Sequence, residues 1–207
     1  ILEIERISRS MNRSTNIGIR LNPNTDAKTL NKISTGKKEN KFGVNDKTFF
    51  QLVNYCKNSK VIELKCLSVH IGSQIQDHKP YEKMLKSITK ILNKVNYKFE
   101  FIDLGGGMGI TYKSGEKKLN YKKYYLAIKK FLDNFNSKII FEPGRSIIGN
   151  TGTLISKVTY IKKSEQKNFI ILDAAMNDLM RPALYGATHK ILPLKKNKSS
   201  KKTYEFV

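Results

Sequence analysis

Phe101-Ile102-Asp103-Leu104-Gly105-Gly106-Gly107-Met108-Gly109 is an apolar run that ends abruptly in glycines. Residues 98–104 read as a strand, and the glycines let the following backbone take positive φ and approach a ligand closely. The loop is not a dinucleotide fingerprint, because neither the GxGxxG spacing nor the acidic partner about 20 residues later is matched. Two other strand candidates end in comparable clusters. Residues 61–69 run into His70-Ile71-Gly72-Ser73-Gln74, and residues 138–141 into Glu142-Pro143-Gly144-Arg145. A further strand at 17–21 is stopped by Asn22-Pro23-Asn24.

Amphipathic helices are predicted between these strands. Residues 46–57 carry Phe49, Phe50, Leu52 and Val53 at helical spacing, and residues 80–95 carry Tyr81, Met84, Leu85, Ile88 and Leu92. A third helix is predicted over 121–135. From the second strand onward, strands start about 40 residues apart, a spacing suited to βα units and so to a parallel sheet. The pattern alone leaves that sheet open or closed into a barrel. After Arg145 the helical periodicity fades. Residues 153–161 and 168–172 read as strands joined by a polar turn at 162–167, so a boundary is placed near 148 between an α/β domain (1–147) and a β-rich domain (148–207).

The formal net charge of +22 raises the question of nucleic acid. The lysines are spread along the whole chain together with abundant Asn and Ile, and the densest stretch, 195–202, reads as a solvated loop, so no nucleic-acid partner is expected. No apolar run reaches the roughly 18 residues of a membrane span, and no membrane association is expected. Cys56 and Cys66 lack metal-ligand spacing; no metal is expected, and both read as free thiols in a reducing, cytoplasmic setting. The first residues, Ile1-Leu2-Glu3-Ile4-Glu5, read as the middle of an amphipathic helix, and Tyr204-Glu205-Phe206-Val207 as a strand in progress. The sequence is therefore expected to be a piece of a longer protein.

Each of the three clusters has an ordinary structural explanation by itself: a packed histidine, a flexible loop, a turn. Their common position at strand ends makes them a constellation, since the carboxyl ends of βα-barrel strands converge on one face. The set suits a phosphorylated pyridine. Backbone N–H groups of Gly105, Gly106, Gly107 and Gly144 can cradle a phosphate, with a hydroxyl from Ser73. A carboxylate facing the ring nitrogen keeps it protonated, and Glu142 is the candidate. His70 can lie against the ring face.

These clusters, with Leu67-Ser68-Val69 before the first, resemble those of the fold-type III pyridoxal-phosphate decarboxylases, a group that includes the diaminopimelate, ornithine and arginine enzymes. Within it, Arg20-Leu21-Asn22-Pro23-Asn24, Thr35-Gly36, Lys41-Phe42-Gly43 and the segment from Leu172 to Tyr185 resemble diaminopimelate decarboxylases. The resemblance implies the later part of a (β/α)8 TIM-like barrel followed by the start of a C-terminal β domain. It implies pyridoxal 5'-phosphate as cofactor, with His70 and Glu142 as catalytic groups at the ring. His70, Ser73, Gly105, Gly106, Gly107, Glu142, Pro143, Gly144 and Arg145 would bind the cofactor, and Arg145, Arg181 and Tyr185 the substrate. It implies conversion of meso-2,6-diaminopimelate to L-lysine and CO2 in a homodimer with shared active sites. An arginine-rich distal pocket argues for a second carboxylate rather than a cationic tail. The family's Schiff-base lysine motif and its Cys-Glu-Ser segment are not found, so this stretch alone is expected to be inactive. A decarboxylase acting on another basic amino acid or on carboxynorspermidine, or a non-catalytic homologue, is the alternative.

Overall fold

The computed structural model describes residues 1–27, 41–195 and 203–207. Thr35-Gly36 and residues 196–202 of the lysine-rich loop lie outside the described residues. Two compact units are formed, Ile1–Ile110 with Lys117–Thr151, and Thr111–Glu116 with Gly152–Val207.

The first unit is α/β. In chain order it runs α1 (Leu2–Ser10), β1 (Thr15–Arg20), α2 (Asp46–Asn58), β2 (Ile62–Ser68), α3 (Lys79–Leu92), β3 (Phe101–Asp103), α4 (Tyr121–Leu132), β4 (Lys138–Ile140) and the single-turn α5 (Arg145–Ile148). All four strands are parallel and their order in the sheet follows the chain, β1-β2-β3-β4. Right-handed crossovers in such an order place the connecting helices on one face. Burial agrees: Leu64, Leu67 and Ile102 are at most 2% exposed and share a core with Phe49, Met84 and Ile88. The helix starts follow local chemistry. Asn45 caps α2 by accepting from the Thr48 N–H, Asn120 caps α4 by accepting from the Lys123 N–H, and Pro80 sits in the first turn of α3.

The strands are shorter than the sequence pattern predicts at the third, which keeps only Phe101–Asp103, because its ladder is limited to three pairs with β4. Between β1 and β2 the register slips. Ile17 pairs with Leu64, but Gly18 pairs with Cys66, leaving Lys65 as the extra residue of a β-bulge. The bulge changes the alternation of β2, so that Ile62 and Leu64 before it and Leu67 after it are all buried. Ser68, two residues before His70, is thereby turned to the face away from the helices. Cys56 is buried and Cys66 half-buried; both are free thiols, and burial pushes both thiols up.

The second unit continues with β5 (Val158–Lys163), β6 (Asn168–Leu172), α6 (Arg181–Tyr185) and β7 (Glu205–Phe206). β5 and β6 are antiparallel, and β7 adds to β6 in parallel. The strand expected over 153–161 begins late and runs into the expected turn. Its early part is drawn elsewhere: the Asp173 carboxylate accepts from the Ser156 hydroxyl and the Lys157 N–H, both at 2.8 Å, so a side chain takes a bond the ladder would have made. Among the described residues no helix is long and apolar enough to cross a membrane.

α1 is tied down by a polar contact rather than by its apolar side. Glu5 is buried at 8% exposure and accepts from the Tyr55 hydroxyl, the Ser59 hydroxyl at 2.8 Å and Arg9 at 2.7 Å. The Tyr55 hydroxyl foremost, then Ser59 and Arg9, hold its pKa down from 4.5 to about 2. A carboxylate depressed in the fold stabilises it above the unfolded value and loses that contribution as pH falls from 4.5 through about 2. Urea unfolding across that range is expected to show wild type losing stability toward acid more steeply than Glu5→Gln.

Candidate functional site

The ends of β2, β3 and β4 meet through the glycine loop. Its backbone groups are almost fully engaged. The Gly105 N–H donates to Asp103 Oδ1 at 2.8 Å, and the Gly105 carbonyl accepts from the Glu142 N–H at 2.9 Å. The Gly106 N–H donates to His70 Nδ1 at 3.2 Å, and the Gly106 carbonyl accepts from the Tyr81 hydroxyl at 3.1 Å. The Gly107 carbonyl accepts from the Ile75 N–H at 2.9 Å. Glycine is required here by space as well as by φ. A Cβ on Gly106 would lie 2.0 Å from the Glu142 carbonyl oxygen; at Gly107, φ is +88 and a Cβ would lie 2.1 Å from the Gly72 carbonyl oxygen.

These bonds narrow the expectation that three adjacent glycines offer N–H groups to a phosphate. Two of the donors already serve Asp103 and His70, whereas the Gly107 N–H has no acceptor among the described residues. The half-buried Ser73 hydroxyl is likewise without a hydrogen-bond partner among them. A Cβ on Gly144 would meet nothing within 4 Å, so the backbone there can be approached. An uncommitted N–H, a hydroxyl and an open glycine are donor groups of the kind that suit a phosphate ester.

His70 follows β2, half-buried. Burial, then the nearby Arg20 charge, lower its pKa below the ordinary histidine value, against a smaller opposing effect of Asp103. At neutral pH it is therefore uncharged, and since Nδ1 accepts from Gly106, the proton sits on Nε2. Arg20 also reaches the His70 carbonyl at 3.4 Å. Glu142 lies two residues beyond β4, with its backbone fixed by Gly105 and its side chain exposed. Pro143 is half-buried beside it. Arg145 begins α5, half-buried, and donates from Nη1 to Gln74 Oε1 at 3.1 Å.

Arg181 and Tyr185 lie at the two ends of α6 in the second unit. Arg181 donates to the Tyr112 hydroxyl at 3.0 Å and its guanidinium carbon lies 5.4 Å from the centre of that ring. The Tyr112 ring in turn meets His189 edge-on at 5.9 Å. Tyr185 is exposed, and Gly186 closes the helix in the left-handed region at φ 60.

Three side chains of this arrangement were not assigned a role from the sequence. Asp103 is buried and holds the loop, accepting from the Ser68 hydroxyl at 3.0 Å as well as from Gly105. Its signal was present locally, since an Asp two residues before a turn glycine is the pattern of an Asx-turn. Gln74 and Tyr112 act on partners 71 and 69 residues away, and no local pattern announces such pairs.

Residues 1–149 match the family described as pyridoxal-dependent decarboxylase, pyridoxal binding domain. The chain belongs to that family. Among curated relatives, it is 36% identical over 207 residues to the diaminopimelate decarboxylase of Aquifex aeolicus, covering 99% of this chain and 49% of the relative. It is 41% identical over 191 residues to the Helicobacter pylori diaminopimelate decarboxylase, covering 91% of this chain and 47% of the relative. The crystal structure of the Helicobacter pylori enzyme complexed with L-lysine superposes with a TM-score of 0.89 at 40% identity, over 94% of this chain and 50% of that one. The chain thus spans about half the length of the curated relatives it matches.

The cradle makes a direct prediction. Gly106→Ala would drive a methyl into the Glu142 carbonyl, so the protein carrying it is expected to lose pyridoxal 5'-phosphate binding, read by cofactor absorbance. Retention of wild-type affinity would show that the loop has room to spare.

Proposed function

We propose that this chain is part of a diaminopimelate decarboxylase, which uses pyridoxal 5'-phosphate to convert meso-2,6-diaminopimelate to L-lysine and CO2. The observation that carries the reading is the joining of His70, the glycine loop and Glu142 by the Gly106-to-His70 and Glu142-to-Gly105 hydrogen bonds. The names of the relatives supply the substrate.

When bound, pyridoxal 5'-phosphate supplies a sink for the electron pair left as a carboxylate departs as CO2. Ser73, Gly107, Gly144 and the Arg145 backbone would hold its phosphate, while Gly105 and Gly106 shape the loop that presents them. His70 offers a flat ring that brings no positive charge at neutral pH, so it supports a pyridine face without opposing its protonation. Glu142 would hold a proton at the ring nitrogen, since an adjacent carboxylate favours the charged form. The guanidinium of Arg145 and the Arg181–Tyr185 helix would take substrate carboxylates, for which the planar fork of arginine is suited. Tyr112 would steady Arg181 by its hydroxyl and ring.

The same reading extends to architecture. A parallel sheet whose order follows the chain lacks the reversal that marks a doubly wound sheet and suits one arc of a (β/α)8 barrel. The second unit would begin a C-terminal β domain, and the complete protein would be a cytoplasmic homodimer whose subunits share active sites. The Schiff-base lysine would come from sequence beyond this stretch, which alone would be inactive.

Assay of the complete gene product against meso-diaminopimelate, ornithine and arginine tests the substrate. Diaminopimelate is expected to be strongly preferred, and preference for either of the others would overturn the assignment. Glu142→Gln is expected to bind pyridoxal 5'-phosphate yet lose at least about a hundred-fold in kcat, the scale of a missing proton-holding group. Unchanged turnover would remove Glu142 from the chemistry.

A further inference from the structure

Gln74 stands one residue beyond Ser73 with its backbone at φ 61, a region that residues with side chains seldom occupy. Such strain persists only where the surroundings over-determine it. Here they do. The Ile75 N–H donates to the Gly107 carbonyl at 2.9 Å and the Gly109 N–H to the Ile75 carbonyl at 3.0 Å, so the two segments pair like short parallel strands. A Cβ on Gly109 would lie 3.0 Å from the Gln74 carbonyl carbon, which shows how closely the backbones run.

The side chain adds three bonds. Nε2 donates to the Ile110 carbonyl at 2.5 Å, and Oε1 accepts from the Ile110 N–H at 3.3 Å. The same oxygen accepts from Arg145 Nη1 at 3.1 Å. A backbone N–H and a guanidinium are donors only, so the amide oxygen must face both, and a flipped amide would set donors against donors. Ile110 does not depend on this contact alone, because Gln76 Nε2 also donates to its carbonyl, at 3.1 Å. What Gln74 provides that Gln76 does not is a fixed acceptor for Arg145.

We propose that Gln74 is a positioning residue that aims the Arg145 guanidinium at a carboxylate of an amino-acid substrate with two carboxylates. The proposal rests on the reading of Arg145 as a substrate-binding group given above. The neutrality of the acceptor is central. A carboxylate at position 74 would hold Arg145 firmly but cancel the charge that attracts the substrate. An amide orients the guanidinium through one N–H without itself cancelling the charge.

The test uses the full-length holoenzyme, with kcat and KM for meso-diaminopimelate, cofactor absorbance and Tm measured for wild type, Arg145→Met, Gln74→Leu, Gln74→Glu and Gln74→Gly. Arg145→Met is the reference for the underlying reading and is expected to raise KM. Gln74→Leu is expected to raise KM roughly ten-fold with kcat nearly preserved, the scale of one hydrogen bond to a charged group. Gln74→Glu is expected to raise it further, despite offering Arg145 a stronger partner. Gln74→Gly removes the backbone strain with the amide, so it is expected to match Gln74→Leu in KM while keeping Tm at or above its value. If Arg145→Met raises KM but both Gln74→Leu and Gln74→Glu stay within about two-fold of wild type, the positioning role is overturned and the reading of Arg145 stands. A fall in Tm with unchanged KM across the Gln74 variants also overturns it, leaving a structural role. If Arg145→Met itself leaves KM unchanged, or wild type does not act on diaminopimelate, the underlying reading fails and the proposal with it.

Discussion

A strand that feeds a functional site must solve two problems with one alternating pattern: it must turn apolar residues toward the helices and functional residues away from them. β2 begins with Ile62 and Leu64 in the core, a phase that, continued, would have put Ser68 inside and Leu67 outside. The bulge at Lys65 breaks the count, so Leu67 is buried and Ser68 reaches Asp103 across the neighbouring strand. Because a slip of one residue exchanges the two faces of a strand, everything beyond this point depends on it. Asp103 is held by Ser68, Gly105 by Asp103, and the glycine loop is thereby fixed from its first residue.

The loop then works as a hub. Its glycines touch His70 after β2, Glu142 after β4, Tyr81 in α3 and Gly72 in the following turn. On the loop's side these contacts are made by backbone groups, which cannot change rotamer; Glu142 meets them with its own backbone, His70 and Tyr81 with their side chains. The cost is that most of the loop's own hydrogen-bonding capacity goes to protein partners. This is why a loop that looks in sequence like three free donors leaves chiefly the Gly107 N–H uncommitted among the described residues.

The electrostatics of the site are set locally, in spite of the large positive charge of the chain. His70 is kept neutral by burial and by Arg20, so the ring beside the cradle carries no charge at neutral pH. Arg145 and Arg181 are each held by a neutral oxygen, from Gln74 and from Tyr112 respectively.

The elements that position the site were legible in the sequence because they rest on local rules. Apolar spacing marked α2, α3 and α4, Asn and Pro marked helix starts, and strand ends were marked by glycine and proline. The clusters around His70, Gly105 and Glu142 could be seen as one constellation only because βα units place strand ends together. Strand limits were less legible where a side chain competes with the ladder, as Asp173 does for Lys157. The tertiary structure alone decided the bulge at Lys65, the commitment of the Gly105 and Gly106 donors, and the pairing of Gln74 with Arg145 and of Tyr112 with Arg181. The sequence by itself determined which residue types stand at the strand ends, since periodicity and turn chemistry act over a few residues. Which of their atoms are left for a ligand was decided by contacts between residues tens of positions apart, and such contacts exist only once the strands have taken their register.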